Sequence, residues 1–303
     1  MKTSSIFSRR ELMRAGMLAG VAVPFLGAWA ADAADAAPVA AAATDAAAVL
    51  RDPWKGLKIG VASYTFKQKP VDPTIAGIQK VGLSYVSIKD FHLPLKSTAA
   101  ERKEVTDKFR AAGITPLSCG VVTLPNKEET IMQAFEYARD AGFPTMVISP
   151  APEAMSLIEK YVKQFNLRVA IHNHGPEDKQ KWHSPKDVWE GVEKMDERIG
   201  LCIDVGHTAR AQMDPAEAIR KYASRLYDVH FKDISNTTPK GKTVECGRGV
   251  LDCRSMLQAL IDVKFQGAVS FEFEKDENDP LPGLAETVGY CKGVMVGLTA
   301  KGS

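Results

Sequence analysis

Strand-like and helix-like segments alternate eight times from Leu57 onward, and this restricts the fold more than any other feature of the chain. The predicted strands cover residues 57–63, 85–89, 116–122, 145–149, 168–172, 201–205, 226–231 and 268–273. The predicted helices cover residues 72–81, 99–112, 127–141, 152–165, 185–195, 215–223, 251–263 and 284–296. Eight βα units without a long interruption predict an α/β fold, a single-domain (β/α)₈ TIM barrel.

An open doubly wound sheet is the alternative arrangement of such units. The first strand lacks the G-x-G-x-x-G turn that the dinucleotide-binding form of that sheet carries. Gly82, Gly113 and Gly142 each come directly after a predicted helix, where a residue in the left-handed conformation commonly ends a helix. Nothing divides the barrel segment, residues 51–303, into two domains.

Residues 1–30 have the pattern of a twin-arginine signal peptide. Adjacent arginines in Ser8–Arg14 precede the apolar run Ala15–Trp29 and a small-residue cleavage site at Ala28–Ala30. A membrane anchor is the alternative, but the run is short for the roughly 20 apolar residues that a span needs. Residues 31–50 are rich in Ala and are predicted to be a flexible linker. We therefore expect a periplasmic protein whose mature chain has no stable membrane insertion.

Charge and cysteine content narrow the classes of partner. The chain has 39 Lys and Arg against 37 Asp and Glu, so it gives no sign of the basic surface that binds nucleic acid or anionic membrane. Its five cysteines include no C-x-x-C pair, which argues against a thiolate zinc site and against a disulfide framework. A small molecule is therefore the expected partner.

Potential metal ligands follow the later strands of the predicted barrel. Glu177 comes after the fifth strand, Asp204 and His207 end the sixth, and the seventh and eighth carry His230 and Glu272. A barrel gathers these strand ends at one mouth. Carboxylates with an imidazole suit Mn²⁺, Mg²⁺, Co²⁺ or Zn²⁺. Each residue alone could be an ordinary hydrogen-bonded strand end, but ligands at successive strand ends favour a metal site.

Such a metal site suits sugar chemistry. A divalent cation can bind the carbonyl and the neighbouring hydroxyl of a sugar and stabilise the enediolate that forms when the carbon between them loses its proton. The sequence therefore predicts proton abstraction next to a carbonyl.

Four sequence blocks carry a family resemblance. They are D-V-G-H at 204–207, V-H-F-K-D at 229–233, G-R-G-V-L-D at 247–252 and V-S-F-E at 269–272. They resemble the sugar phosphate isomerase/epimerase group of xylose isomerase-like TIM barrels, over roughly residues 57–296. The resemblance implies that the metal ligands are Glu177, Asp204, His230 and Glu272. It also implies a homo-oligomer, since relatives of this kind are often dimers or tetramers.

The resemblance also implies catalytic roles. Glu177 and Glu272 would face opposite sides of the substrate, one removing and one returning the proton, and His207 would bind a substrate oxygen near the metal. Many members have glutamate where this chain has His172, so His172 is the alternative ligand to the favoured Glu177. Asn236 stands where some ketose epimerases have arginine, which puts simple epimerisation of a free ketose in doubt.

Other polar residues near the strand ends are candidates for binding substrate. Those expected to contact sugar oxygens are Lys89, His92, His174 and Lys232. Tyr64, Phe66 and Trp182 are candidates for stacking on a sugar ring, with aromatic packing at the barrel rim as an equal alternative.

Three functions remain open at this level. The first is a divalent-metal-dependent sugar isomerase or epimerase, and the second is a 3-keto-glycoside lyase or hydratase that uses the same site. The third is a periplasmic barrel that binds sugar without catalysis. The related endonuclease IV type requires a three-metal cluster, and the near-neutral charge argues against a DNA substrate.

Overall fold

Eight parallel strands close into a barrel in the computed structural model, which describes residues 52–176 and 182–298. The strands are β1 (Lys58–Ala62), β2 (Tyr85–Ile88), β3 (Thr115–Leu124), β4 (Thr145–Pro150), β5 (Arg168–His172), β6 (Ile199–Asp204), β7 (Leu226–Phe231), β8 (Asp233–Ile234), β9 (Thr243–Val244) and β10 (Ala268–Phe271). The last strand, β10, pairs in parallel with both β1 and β7 and so closes the barrel, while β8 and β9 form a separate antiparallel pair. The predicted TIM barrel is confirmed.

Helices follow the strands around the outside of the barrel. They are α1 (Val71–Lys80), α2 (Ala99–Ala111), α3 (Glu128–Ala141), α4 (Met155–Phe165), α5 (Pro185–Val192), α6 (Val205–Arg210), α7 (Pro215–Lys221), α8 (Cys253–Asp262) and α9 (Leu281–Val296). All but α6 match a predicted helix closely. The short helix α6 begins directly after β6, and it is important for the site described below.

Helix boundaries follow capping signals in the sequence. The Thr98 side chain accepts the backbone N–H of Glu101, whose carboxylate accepts the N–H of Thr98 in return, so α2 begins with a capping box. Helix α3 ends just before Gly142, which has a φ of 71°, in the left-handed region that glycine adopts without steric cost. These local signals explain why the predicted boundaries lie close to the observed ones.

The core has an apolar outer layer and a polar inner one. Large side chains such as Phe109 and Phe135 are fully buried between helices and strands. The inward face of the strands carries polar side chains as well. Because strand residues alternate between faces, Cys202, Asp228 and Ser270 share the inward face with the residues two positions further on, which lie at or next to the strand ends. All three are buried, so polar groups lie beneath the carboxyl end of the barrel.

Some sequence predictions concern residues that the structure does not describe. The signal peptide (1–30), the linker (31–50) and Glu177 lie outside the described residues, and these assignments stay predictions. Within the described ranges, none of the helices combines the length and the apolarity needed to span a bilayer.

Candidate functional site

Four side chains converge at the carboxyl ends of β5, β6, β7 and β10. His172, Asp204, His230 and Glu272 are buried, and one potential ligand atom from each lies within 4.8 Å of the others. His172 Nε2 is 3.0 Å from His230 Nδ1 and 3.5 Å from Asp204 Oδ2, and His230 Nδ1 is 3.4 Å from Glu272 Oε2. Ligands bound at right angles to an ion, with bonds of about 2.1 Å, would lie about 3 Å apart. The spacing is therefore compatible with four ligands of one divalent ion.

Asp204 is oriented by the turn from β6 into α6. Its Oδ1 accepts the backbone N–H of His207 at 2.8 Å and so caps α6. Its own N–H donates to Asn173 Oδ1 at 3.0 Å, and Asn173 Nδ2 donates to Thr208 Oγ1 at 3.2 Å. With Oδ1 used by the helix, Oδ2 is the oxygen that faces the cluster. The D-V-G-H block thus fixes one ligand by building the cap of a helix.

Two lysines supply positive charge to the buried carboxylates. Lys232 Nζ donates to Glu272 Oε2 at 2.7 Å and to Glu274 Oε2 at 3.1 Å, and it lies 3.0 Å from Asp204 Oδ2. Lys89 Nζ is 3.5 Å from the other oxygen of Glu272, Oε1. The charge of each carboxylate is therefore balanced within the protein, as buried ions require.

The ionisation of the cluster follows from these pairs. Burial alone would raise the pKa of Glu272 and of Asp204, but the positive charge of Lys232 outweighs this effect and holds both pKa values well below the usual range. Burial alone would lower the pKa of Lys232, but Asp204, Glu272 and Glu274 hold it well above the usual range. Burial lowers the pKa of His172 well below its ordinary value. Both carboxylates are thus ionised and the His172 ring is neutral at physiological pH.

The residues present fit a divalent cation. Asp204 Oδ2 is fully buried and accepts no hydrogen bond from any of the described residues, although the Lys232 ammonium lies close to it. Cys202 also lies near His172 and His230, but burial raises the pKa of its thiol well above the ordinary value. A protonated thiol is a poor ligand. The two imidazoles and two carboxylates are therefore the better donor set.

A pocket of about 310 Å³ opens onto the cluster. His172 and Glu272 lie in its wall, and the rest of its lining consists of Tyr64, Lys89, Asp90, Phe91, Val121, His174, His207 and Glu274. The rings of Tyr64 and Phe91 meet edge to face, 5.6 Å apart, and Phe91 is 52% exposed. The volume is at the small end of those known for small-molecule sites. A polar floor with an aromatic edge suits a small polyhydroxylated ligand.

His174 and His207 stand side by side in this pocket. Their ring centroids are 5.9 Å apart, and the His174 ring lies 4.4 Å from that of His172. His207 Nδ1 is 3.1 Å from Arg210 Nη1, while Arg210 Nη2 donates to the carbonyl of Gly241 at 2.8 Å. Arg210 was not among the residues predicted from the sequence. The available signal was its position three residues after His207, on the same helical face.

His92 does not lie in the pocket lining. Its Nδ1 is 3.0 Å from Ser63 Oγ, and its Nε2 is 3.0 Å from Thr74 Oγ1 and from the carbonyl of Lys69. Ser63 Oγ also accepts the backbone N–H of Lys89 at 2.8 Å. The ring therefore supports the segment that carries Lys89. The contact between His92 and substrate that the sequence predicts is not tested by these hydrogen bonds and stays a prediction.

The three aromatic candidates for stacking on a sugar ring lie in different places. Trp182 is buried and donates from Nε1 to the carbonyl of Pro150 at 2.8 Å. Phe66 is buried against Gly77, where an added Cβ would approach its ring to 2.7 Å. Both rings belong to the core. Of the three aromatic candidates, only Tyr64 lines the pocket.

The fifth-strand ligand is described only in part. His172 contributes to the cluster, whereas Glu177 lies outside the described residues. The geometry therefore supports His172 as a ligand, and the role predicted for Glu177 stays a prediction.

Asp233 fixes the segment next to Lys232. Its two carboxylate oxygens accept the backbone N–H groups of Ile234, Gly247, Gly249 and Leu251, at 2.8 to 3.0 Å. At Gly249 an added Cβ would come within 2.2 Å of Asp233 Oδ1, so only glycine fits. The V-H-F-K-D and G-R-G-V-L-D blocks thus meet through one carboxylate, which holds the chain where Lys232 enters the site.

Comparisons with known proteins agree with the barrel fold. Residues 75–293 match the family described as xylose isomerase-like TIM barrel. The inosose dehydratase of Clostridium tetani is 24% identical over 155 residues, which are 46% of this chain and 49% of that protein. The chain thus spans about half the length of the curated relatives it matches.

Two solved structures show the same fold. A 3-keto-D-glucoside 4-epimerase from E. coli superposes with a TM-score of 0.65 and 14% identity, covering 78% of this chain and 99% of that one. An L-ribulose 3-epimerase superposes with a TM-score of 0.65 and 15% identity, covering 79% of this chain and 95% of that one. At such identities the likeness concerns the fold alone.

Proposed function

The chain belongs to the xylose isomerase-like TIM barrel family, and on that premise we propose that it is a divalent-metal-dependent sugar isomerase or epimerase. It would act by removing a proton from the carbon beside a carbonyl. The observation that carries the proposal is the convergence of two imidazoles and two ionised carboxylates on one point at the floor of a pocket. The known relatives include epimerases and a dehydratase, which supports enzymatic activity.

The cluster would supply the electrostatic part of the reaction. A divalent cation held by Asp204, His230 and Glu272, with His172 or Glu177, would polarise the carbonyl and stabilise the negative charge that develops on proton removal. Such preorganised charge is commonly the largest contribution to catalysis.

Glu272 is the proposed base. Its low pKa keeps it ionised and able to accept a proton. Oε2 contacts Lys232 and His230, which leaves Oε1, 3.5 Å from Lys89, as the oxygen that receives the proton. A full epimerisation needs a second proton carrier on the opposite face of the substrate. Glu177, in the segment after β5, is the residue we propose for it.

A lyase acting on 3-keto-glycosides, or a dehydratase, is the second candidate. Elimination needs an acid near the base, so that the leaving oxygen departs with a proton. Lys89 is buried, lines the pocket and lies 3.5 Å from Glu272, so its ammonium group can serve as that acid. The inosose dehydratase relative is consistent with this outcome.

A barrel that only binds sugar is the third candidate. A site that had lost catalysis would be expected to lose charged residues first, because buried charges are costly to keep without a function. Asp204, His230, Lys232 and Glu272 are all present and mutually paired. This completeness argues for the enzyme.

Deuterium exchange tests the proposal. We expect the Mg²⁺-loaded protein in D₂O to incorporate deuterium beside the carbonyl of a ketose or a 3-keto-glycoside, as followed by NMR. Exchange with an intact skeleton would support isomerase or epimerase chemistry, and release of the C1 substituent would support the lyase.

Glu272→Gln is the matched variant for this experiment. It keeps the shape of the side chain but removes the base, and we expect exchange to fall by at least about 100-fold with an unchanged circular dichroism spectrum. Full exchange in this variant would refute the role of Glu272. No exchange by the wild-type protein with any substrate would favour the binding barrel.

We also propose that the protein works in the periplasm after twin-arginine export, which the arginine pair and the apolar run within residues 1–30 support. Replacing Arg9 and Arg10 by lysine should retain the protein in the cytoplasm, as measured by cell fractionation. Unchanged periplasmic protein in this variant would argue against that route. A homo-oligomeric assembly stays a prediction from the family resemblance.

A further inference from the structure

The ammonium group of Lys232 lies among the oxygens that would hold a metal ion. Nζ is 3.0 Å from Asp204 Oδ2 and 2.7 Å from Glu272 Oε2. These two oxygens are also the ones nearest the imidazoles, since Asp204 Oδ2 is 3.5 Å from His172 Nε2 and Glu272 Oε2 is 3.4 Å from His230 Nδ1. The other Asp204 oxygen caps α6. Lys232 and a metal ion would therefore compete for the same two carboxylate oxygens.

A third carboxylate offers Lys232 another partner, on the pocket side of the cluster. Glu274 Oε2 is 3.1 Å from Nζ and accepts a hydrogen bond from Thr243 Oγ1 at 3.0 Å. The Glu274 side chain is 35% exposed and lines the pocket, whereas that of Glu272 is only 8% exposed. Glu274 can thus keep the ammonium group paired outside the cluster.

The stem of Lys232 is held against α6. An added Cβ at Gly206 would lie 2.9 Å from Lys232 Cδ and 3.0 Å from its Cγ, so the stem packs directly against the backbone of α6. Any movement is therefore confined to the terminal atoms. The glycine of the D-V-G-H block provides the space through which Lys232 reaches the site.

We propose that Lys232 is an internal counter-cation, which holds Asp204 and Glu272 in place before a metal ion arrives and turns to Glu274 when one binds. The inference rests on the metal dependence in the proposed function. Two cations sharing a pair of buried oxygens repel each other strongly, so the singly charged group withdraws toward its remaining partner. In that position the ammonium group faces the pocket and can donate to substrate oxygens.

Metal affinity tests the proposal without reference to turnover. The mature, chelator-treated protein is titrated with Co²⁺ at neutral pH and read by its visible absorption, with a chromophoric chelator as competitor. Lys232→Met removes the competing cation, and we expect at least about ten-fold tighter binding. Equal or weaker binding would overturn the counter-cation.

The Glu274→Gln variant provides a second test by the same Co²⁺ titration. Without its receiving carboxylate the ammonium group stays on Asp204 and Glu272, and Co²⁺ should bind at least about ten-fold more weakly. In the Lys232→Met background the same substitution should change affinity by less than about two-fold. Equal losses in both backgrounds would mean that Glu274 acts only as a nearby charge, and would overturn the proposal. If Lys232→Met does not fold, Lys232→Gln takes its place in both measurements, with the same expected and contradicting outcomes.

Glu277→Gln is the control for loss of charge. Glu277 forms an ion pair with Lys67 at the protein surface, so its neutralisation should leave the affinity within about two-fold. Co²⁺ binding by Lys232→Met but not by the wild-type protein would overturn the turn of Lys232 toward Glu274 and would also refute the proposed metal-dependent function. Equal binding by both proteins would overturn the counter-cation and leave the proposed function standing, and binding by neither would refute both.

Discussion

His172 and His92 are two buried histidines with different surroundings. His172 Nε2 points at Asp204 and His230, whereas both ring nitrogens of His92 are engaged by Ser63, Thr74 and a backbone carbonyl. One ring is therefore placed to bind an ion and the other to hold two segments together. This contrast provides a test of the fifth-strand ligand with a matched control.

We expect His172→Ala to weaken Co²⁺ binding by at least about ten-fold, because it removes one of the four converging donors. Glu177→Ala should have a smaller effect if His172 is the ligand. The measurement is the dissociation constant of the chelator-treated protein by competition with a chromophoric chelator. His92→Ala should lower the melting temperature while leaving the metal affinity unchanged. The reverse ranking of the two site variants would assign the ligand to Glu177.

At the scale of elements, Asp233 connects β8 to the loop before α8. Its carboxylate accepts four backbone N–H groups and is fully buried. Asp233→Ala should therefore lower the free energy of unfolding by about 3 kcal/mol or more, since buried donors would lose a charged acceptor. Urea unfolding followed by circular dichroism measures this.

Asp252 is the matched control for that substitution. It lies in the same loop and caps α8 by accepting the N–H of Ser255 at 3.0 Å. Asp252→Ala should cost only about 1 kcal/mol, the usual effect of losing a helix cap. Equal losses in the two variants would show that Asp233 acts as an ordinary cap.

Elements were more predictable from the sequence than side-chain partners. Strand and helix ranges follow from periodicity and from glycines such as Gly142, which act within a few residues. The short helix α6 was not predicted, because six residues are too few to show a period. The pairing of Lys232 with Asp204 and Glu272 depends on the register of β6, β7 and β10, which no local pattern encodes. The hydrogen bonds of His92 were not predictable for the same reason, since its position in the chain does not tell which way its ring turns.

At the scale of the whole molecule, stability should depend on pH through the buried histidines. Burial lowers the pKa of His172 and of His92 below the ordinary value. The unfolded chain, whose histidines titrate near pH 6.5, therefore binds more protons than the folded protein once the pH falls below about 6.5. Stability is then lost as the pH falls from that value toward the folded pKa. The contribution of Asp228 to this pH dependence has the opposite sign, because burial raises the pKa of its carboxyl group.

We expect the chelator-treated protein to lose about 1.4 kcal/mol per buried histidine between pH 7.5 and pH 5.5, if each stays neutral while folded. Comparing wild type with His172→Asn at each pH isolates one ring, because contributions such as that of Asp228 are common to both proteins and cancel. On acidification, wild type should therefore lose more free energy of unfolding, measured with urea, than the variant does. Parallel curves for the two proteins would mean that His172 titrates alike in the folded and unfolded states, which would contradict its burial in a neutral form beside Asp204 and His230.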